Sequence, residues 1–310
     1  MGRKKELVVL ALGGNALIRR GQRGTFEDQL TNLRRIAPDI ARLAKEYTLL
    51  VTHGNGPQVG ALSLQQEAAR DRTPPQPLHV CVAMTQAQIG YIIQLAISDA
   101  DPSLSVAVVL TRVLVDPRDP AFKRPSKPIG PYYDREEAEL LGRERGWVFT
   151  EVPGRGYRRV VPSPRPLEVV DIRAIESALR VCDVVVAGGG GGIPVALGAE
   201  GLVGVDAVVD KDLTSALLAR TLKAAKLAIL TDVDAVYIGY GTPSARPLRR
   251  TTPDELKKYL GEGHFPPGSM GPKVEAAIEF VEATGGAAVI GHLDEMLAVV
   301  EGKTGTLIRP

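Results

Sequence analysis

A lysine at the head of a helix and two glycine-rich loops far upstream are the residues of this chain best suited to chemistry. Lys273 stands in the run MGPKVEAAIEF, whose apolar spacing predicts a helix after Gly271-Pro272, with proline at the first helical position. The loops are ALGGNAL, around Gly13, Gly14 and Asn15, and THGNGPQVG, around Gly54, Asn55 and Gly56. A helix N-terminus leaves several backbone N–H groups unpaired and carries the positive end of its peptide dipoles. With a fixed cation beside it, that end favours phosphate. We therefore expect an enzyme that handles a phosphoryl group.

These groups need a scaffold. Short apolar, β-branched runs recur at Leu7 to Leu12, Thr48 to Thr52, Ser105 to Thr111, Asp183 to Ala187 and Leu227 to Thr231, and most precede segments of helical periodicity. One such segment, Glu27 to Tyr47, places Leu30, Leu33, Ile36, Ile40 and Leu43 on one face, with Pro38 expected to bend it. The alternation predicts an α/β sandwich with a mainly parallel sheet. Ligands of open α/β sheets collect at the carboxyl ends of strands, which is where Gly13, Gly54 and the Gly188 to Gly192 run fall. Three loops on one sheet edge predict one cleft.

From about Val113 to Pro166 the alternation stops. Nine of the 23 prolines and six of the 14 aromatic residues gather there: Phe122, Tyr132, Tyr133, Trp147, Phe149 and Tyr157. Rigid turns with private aromatics predict a small inserted subdomain with its own core, which we read as a lid. Beyond Gly302 only eight residues follow, so no appended domain is expected.

Composition narrows the function. A formal net charge of +2, with basic pairs scattered along the chain, predicts no nucleic-acid footprint. Cys81 and Cys182 both sit in apolar runs, so neither a disulfide framework nor a zinc site is expected. The basic start leads into an apolar run too brief for a signal peptide, and Gln86, Gln88 and Gln94 interrupt the long apolar stretch Leu78 to Ala100. A cytoplasmic address and no membrane partner are expected.

Several phosphate chemistries fail on spacing. Gly302-Lys303-Thr304 ends like a P-loop, but Leu297 occupies the earlier glycine position. In the Gly188 to Gly192 run, Ile193 and Pro194 break the dinucleotide-binding spacing. Protein-kinase signatures are missing, and the four histidines form no metal-binding pattern.

Taken together, LGGNAL, VTHGNGPQVG, KPIGP, VAGGGGGIP, VVDKDLTSALLA, LTDVDAVY and SMGPKVEAAIEF resemble the carbamate kinase family of the amino-acid-kinase superfamily, from Val8 to Ile308. The resemblance implies an open three-layer α/β/α sandwich on an eight-stranded, mainly parallel sheet, and a homodimer. It also implies reversible phosphoryl transfer between ATP, carried with Mg2+, and carbamate. Residues 1–210 would form the acceptor lobe, with the lid inserted at about 113–166, and residues 211–310 the nucleotide-binding lobe. Other superfamily kinases acting on a small acid or phosphate ester, and a nucleotide-binding regulator without catalysis, are the alternatives.

Most superfamily members carry a lysine where this chain has Ala11, so the missing charge must come from elsewhere. Lys127 in SKPIGP matches the family lysine that supplies it, stiffened by Pro125 and Pro128. Lys211 is expected on the β/γ-phosphate oxygens, Lys273 on the ATP phosphates, and Asp210 as the carboxylate that orients the lysines. Asp212 reads instead as a helix-start or surface carboxylate. Gly13, Gly14 and Asn15 would surround the transferring phosphate, Gly54, Asn55 and Gly56 the carbamate, and Gly189, Gly190 and Gly191 add phosphate contacts. Thr231, Asp232, Val236, Tyr237, Met270 and Gly271 match the nucleotide-binding region. No residue is expected as a dedicated metal ligand, because phosphates and waters can hold Mg2+. His53 reads equally well as a packed, hydrogen-bonded residue.

Overall fold

The computed structural model describes residues 5–266 and 268–310; the basic residues before Lys5, part of the start discussed above, lie outside them. Among the described residues its central sheet has eight strands. In spatial order they are Arg250–Thr251, Thr306–Ile308, Ala287–His292, Lys226–Thr231, Leu7–Leu12, Thr48–His53, Val184–Val186 and Val106–Val108. Neighbours run parallel except Thr306–Ile308 against Ala287–His292.

Alternation along the central strand explains the layers. Val8, Leu10 and Leu12 enter one apolar core, whereas Val9 and Ala11 enter the other. Both faces are covered, as parallel strands require. Helix Phe26–Glu46 covers the first face with Leu33, Ile36 and Ile40, and starts at a Thr25–Asp28 capping box. The helix continues through Pro38.

Helix Leu78–Ala100 has the length and hydropathy of a membrane span. Here it is a packed layer of the sandwich: Gln86 donates to the carbonyls of Thr111 and Gly189, and Gln94 to that of Val106. The expected strand Ser105 to Thr111 is shortened to Val106–Val108. Its last residue is diverted, because the Thr111 N–H donates to Gln86 and its hydroxyl accepts from the Gly188 N–H.

Within the proline-rich stretch, Lys127–Tyr133, Gly156–Val161 and Val148–Val152 form a separate three-stranded sheet beside helix Arg135–Arg145. Tyr133 meets Phe149 edge-on at 5.3 Å, and the Arg159 guanidinium lies 3.6 Å from the Trp147 ring centre. The flanks of the stretch belong elsewhere: Arg112–Leu114 and Glu168–Val169 pair in a four-stranded sheet with Ile193–Gly198 and Gly201–Gly204.

Candidate active site

Four parallel strands end on the same sheet edge, and each leads into a loop singled out above: Leu12 into Gly13, His53 into Gly54, Val186 into the glycine run, and Thr231 into Asp232. Between these loops lies a cleft of about 160 Å3. Gly14, Gly54, Asn55, Gly56 and Gly190 form its walls, with Lys127, Asp210, Lys211, Asp212 and Lys273 around them. Asn55 is held by a side-chain hydrogen bond to the Thr85 hydroxyl at 2.9 Å. A Cβ on Gly190 would stand 2.2 Å from the Asn55 amide, so only glycine permits this approach.

The charged groups interlock. Lys127 Nζ reaches Asp210 Oδ2 at 2.5 Å, and the other Asp210 oxygen accepts the Asp212 N–H at 2.9 Å, capping helix Lys211–Thr221. Asp212 accepts from Lys211 through one oxygen and from Lys273 at 3.0 Å through the other. Burial alone would raise the Asp212 carboxyl, but the Lys211 and Lys273 ammonium groups outweigh it and hold it far below the usual carboxylate range. Burial lowers Lys211 despite Asp212, whereas for Lys273 the pull of Asp212 outweighs burial and raises it. Three cations against two carboxylates leave the cleft suited to anions.

A second cavity, about 290 Å3, adjoins the first and shares Ser269 and Lys273 with it. Thr231, Asp232, Tyr237 and Met270 line it, together with Tyr240, His264, Phe265 and Pro266. Tyr237 donates to Asp234 at 2.8 Å and meets Tyr240 edge-on at 5.9 Å. An aromatic cavity opening beside paired lysines has the shape and polarity for a nucleotide.

Residues 6–292 match the amino acid kinase family. Carbamate kinase of Thermococcus kodakarensis is 50% identical over 97% of this chain and 98% of its own, and that of Pyrococcus furiosus 46% over 98% and 99%. The chain belongs to the carbamate kinases of the amino acid kinase family. Among solved structures, carbamate kinase from Giardia lamblia bound to AMP-PNP is 42% identical, with a TM-score of 0.90 over 98% of each chain. A structure from Aeropyrum pernix K1 is 52% identical, with a TM-score of 0.91 over 98% of this chain and 99% of its own.

Within this carbamate kinase fold several expected positions shift. Asp212 is no surface carboxylate: its side chain is 3% exposed and joins two lysines, because helix Lys211–Thr221 packs against helix Met270–Thr284. The Gly13 N–H is taken by the Leu230 carbonyl at 2.8 Å, so it is not free for phosphate; Gly14 does line the cleft and Asn15 is half-buried next to it. Gly189 packs on the His53 ring and Gly191 on the Val209 backbone, while Gly190 alone of the three borders the cleft. Val236 is fully buried with its N–H on the Thr306 hydroxyl, and the Gly271 N–H donates to the Pro266 carbonyl, so neither lines the aromatic cavity.

The last helix of the site begins at Met270, which puts Pro272 third in it and Lys273 fourth. Proline is accepted there because first-turn N–H groups lack helical partners anyway. Ala11 is fully buried between its neighbouring strands, and Lys127 reaches the cleft from the separate sheet. Tyr240, His264 and Phe265 escaped the sequence reading. Only Tyr240 carried a signal, as a second aromatic three residues after Tyr237.

Proposed function

We propose that this chain transfers the terminal phosphoryl group of ATP reversibly to carbamate, giving ADP and carbamoyl phosphate. Near-full-length identity to carbamate kinases supports that reading. The observation that carries the chemistry is the joining of a small lysine-ringed cleft to an aromatic cavity through Ser269 and Lys273. A cleft of about 160 Å3 suits an acceptor the size of carbamate with the phosphoryl group between them.

In the forward direction a carbamate oxygen bonds to the γ-phosphorus as the bond to the ADP β-phosphate oxygen breaks. Carbamate is already an anion, so no proton is removed and no general base is needed. Charge in the transition state spreads over the oxygens of the moving group, and the protein's task is to align the reactants and meet that charge. Lys273, common to both cavities, meets the nucleotide phosphates, Lys211 the β/γ oxygens, and Lys127 the moving group from the acceptor side. Asp210 aims Lys127, and Asp212 aims the other two. Gly54, Asn55 and Gly56 enclose carbamate, with the helix Gly56–Ala68 opening toward it.

Asp210 and Asp212 are both engaged by ammonium groups, and no cluster of three or more potential metal ligands occurs among the described residues. Mg2+ brought in with the nucleotide would be held largely by phosphate oxygens and water, and would supply neutralising charge there. We further propose residues 1–210 as the acceptor lobe, residues 211–310 as the nucleotide lobe and the inserted sheet as a lid, in a cytoplasmic homodimer. The exposed cross-strand pair Leu197 and Leu202 supports self-association, which light scattering on the purified chain would test.

The activity is tested by supplying ADP, Mg2+ and carbamoyl phosphate and following ATP. ATP formation is expected. Bound ADP without ATP formation would reject the acceptor.

A further inference from the structure

The acceptor motif THGNGPQVG ends on Gly60, a glycine in the second turn of helix Gly56–Ala68 that neither cavity uses. Glycine weakens a helix interior relative to alanine, so it needs a local reason. The reason lies on the inserted sheet. A Cβ on Gly60 would stand 2.0 Å from the backbone nitrogen of Gly130, and Gly130 itself has φ +72°. Gly130 is three residues beyond Lys127 on the same strand.

The contact is one of a row. Residues 56, 60, 63 and 67 share one helix face by their spacing of four, three and four. A Cβ on Gly56 would stand 3.4 Å from the Pro128 carbonyl. Ser63 accepts from Arg159 Nη1 at 2.8 Å, and Glu67 pairs with Arg145 at 2.9 Å. Every one of these partners belongs to the inserted sheet or its helix. Thus a single face of the helix that starts at the acceptor loop seats the strand bearing Lys127.

We infer that Gly60 is a positioning residue for Lys127: its missing side chain lets that strand sit close enough for the Lys127 ammonium to enter the cleft. This rests on the reading that Lys127 acts on the moving phosphoryl group. Any side chain at residue 60 forces the strand outward by more than about 1 Å to reach van der Waals separation. Misplacing a reacting group by about 1 Å costs roughly a hundredfold in rate.

The test is a double-mutant cycle on the full chain, read as kcat for ATP formation, with ADP affinity measured in parallel. Gly60→Ala is expected to lower kcat about a hundredfold with ADP Kd within about twofold, and to add less than about twofold to the loss caused by Lys127→Ala. A Gly60→Ala loss that persists in full on the Lys127→Ala background means that Gly60 acts through something else and overturns the inference. Lys127→Ala with near-normal kcat would instead refute the role of Lys127, and the inference with it, by a different signature. Should Gly60→Ala fail to fold, as shown by loss of ADP binding and cooperative melting, Ser63→Ala enters the same cycle. Its smaller kcat loss must likewise vanish without Lys127; a persistent loss, or none, overturns the inference.

Discussion

The carboxylate of Asp212 lies 3.0 Å from the ammonium of Lys273, 61 positions later, while its other oxygen accepts from the adjacent Lys211. One buried anion thereby fixes two cations on different helices, each of which would otherwise repel the other. Asp212 thus joins Lys211 and Lys273, whereas Asp210 joins Lys127.

Asp212→Asn removes the anion and leaves two buried ammonium groups facing each other. Breaking a buried pair from one side typically costs about 3–5 kcal/mol. We expect a urea midpoint lowered to match, and kcat reduced by roughly a hundredfold or more as the lysines lose alignment. Unchanged stability with near-normal turnover would show that the lysines are placed without it.

Lys127 borders only the smaller, lysine-ringed cleft, whereas Lys273 borders both cavities. Lys127→Ala should therefore lower kcat by roughly 10²–10³, the usual effect of losing one preorganised donor, with ADP affinity nearly intact. Lys273→Ala should weaken ADP binding as well. Calorimetric titration with ADP separates the two, and an equal loss of affinity in both variants contradicts the assignment of Lys127.

Tyr240 is exposed at the mouth of the aromatic cavity and stacks edge-on with Tyr237. Aromatic contacts of this kind contribute about 0.5–1.5 kcal/mol. Tyr240→Ala is expected to raise the KM for ADP about 2- to 12-fold while kcat stays within twofold, since the residue touches no reacting atom. A kcat effect without a KM effect would place the nucleotide elsewhere.

His53 gives a pH signature. Burial pushes its imidazole down to about 4 from the ordinary 6.5; the Gly54 carbonyl opposes the shift and the Lys211 charge adds to it. Between those values the unfolded chain binds a proton that the folded chain refuses. Stability therefore falls as pH drops from about 6.5 to about 4, by about 3 kcal/mol in all at about 1.36 kcal/mol per unit. His53→Gln should flatten that part of the stability profile, measured as urea midpoints at pH 7, 5 and 4. An unaltered profile would assign the acid lability to other groups.

The pattern of strands and helices is largely local, and sequence alone determined it, although Gln86 and Gly188 divert the end of the strand expected at Ser105 to Thr111. β-branched runs alternating with helical periodicity force a covered parallel sheet, and parallel strands must deliver the loops at Gly13, Gly54 and Gly188 to Gly192 to one edge. The lysines were legible by type, because a transferring phosphoryl group needs fixed cations and Ala11 leaves one wanting. Their pairing was not. Asp210 caps the helix in whose first turn Asp212 lies, and no local rule says which carboxylate turns toward Lys127 and which toward Lys273. The packing of helix Lys211–Thr221 on Met270–Thr284 decides it. Likewise, Val236 and Gly271 look like neighbours of a ligand from their motifs, yet the Thr306 hydroxyl accepts the N–H of the first and a turn hydrogen bond takes that of the second. Long-range contacts settle such matters, because desolvation and charge pairing depend on what arrives from elsewhere in the chain.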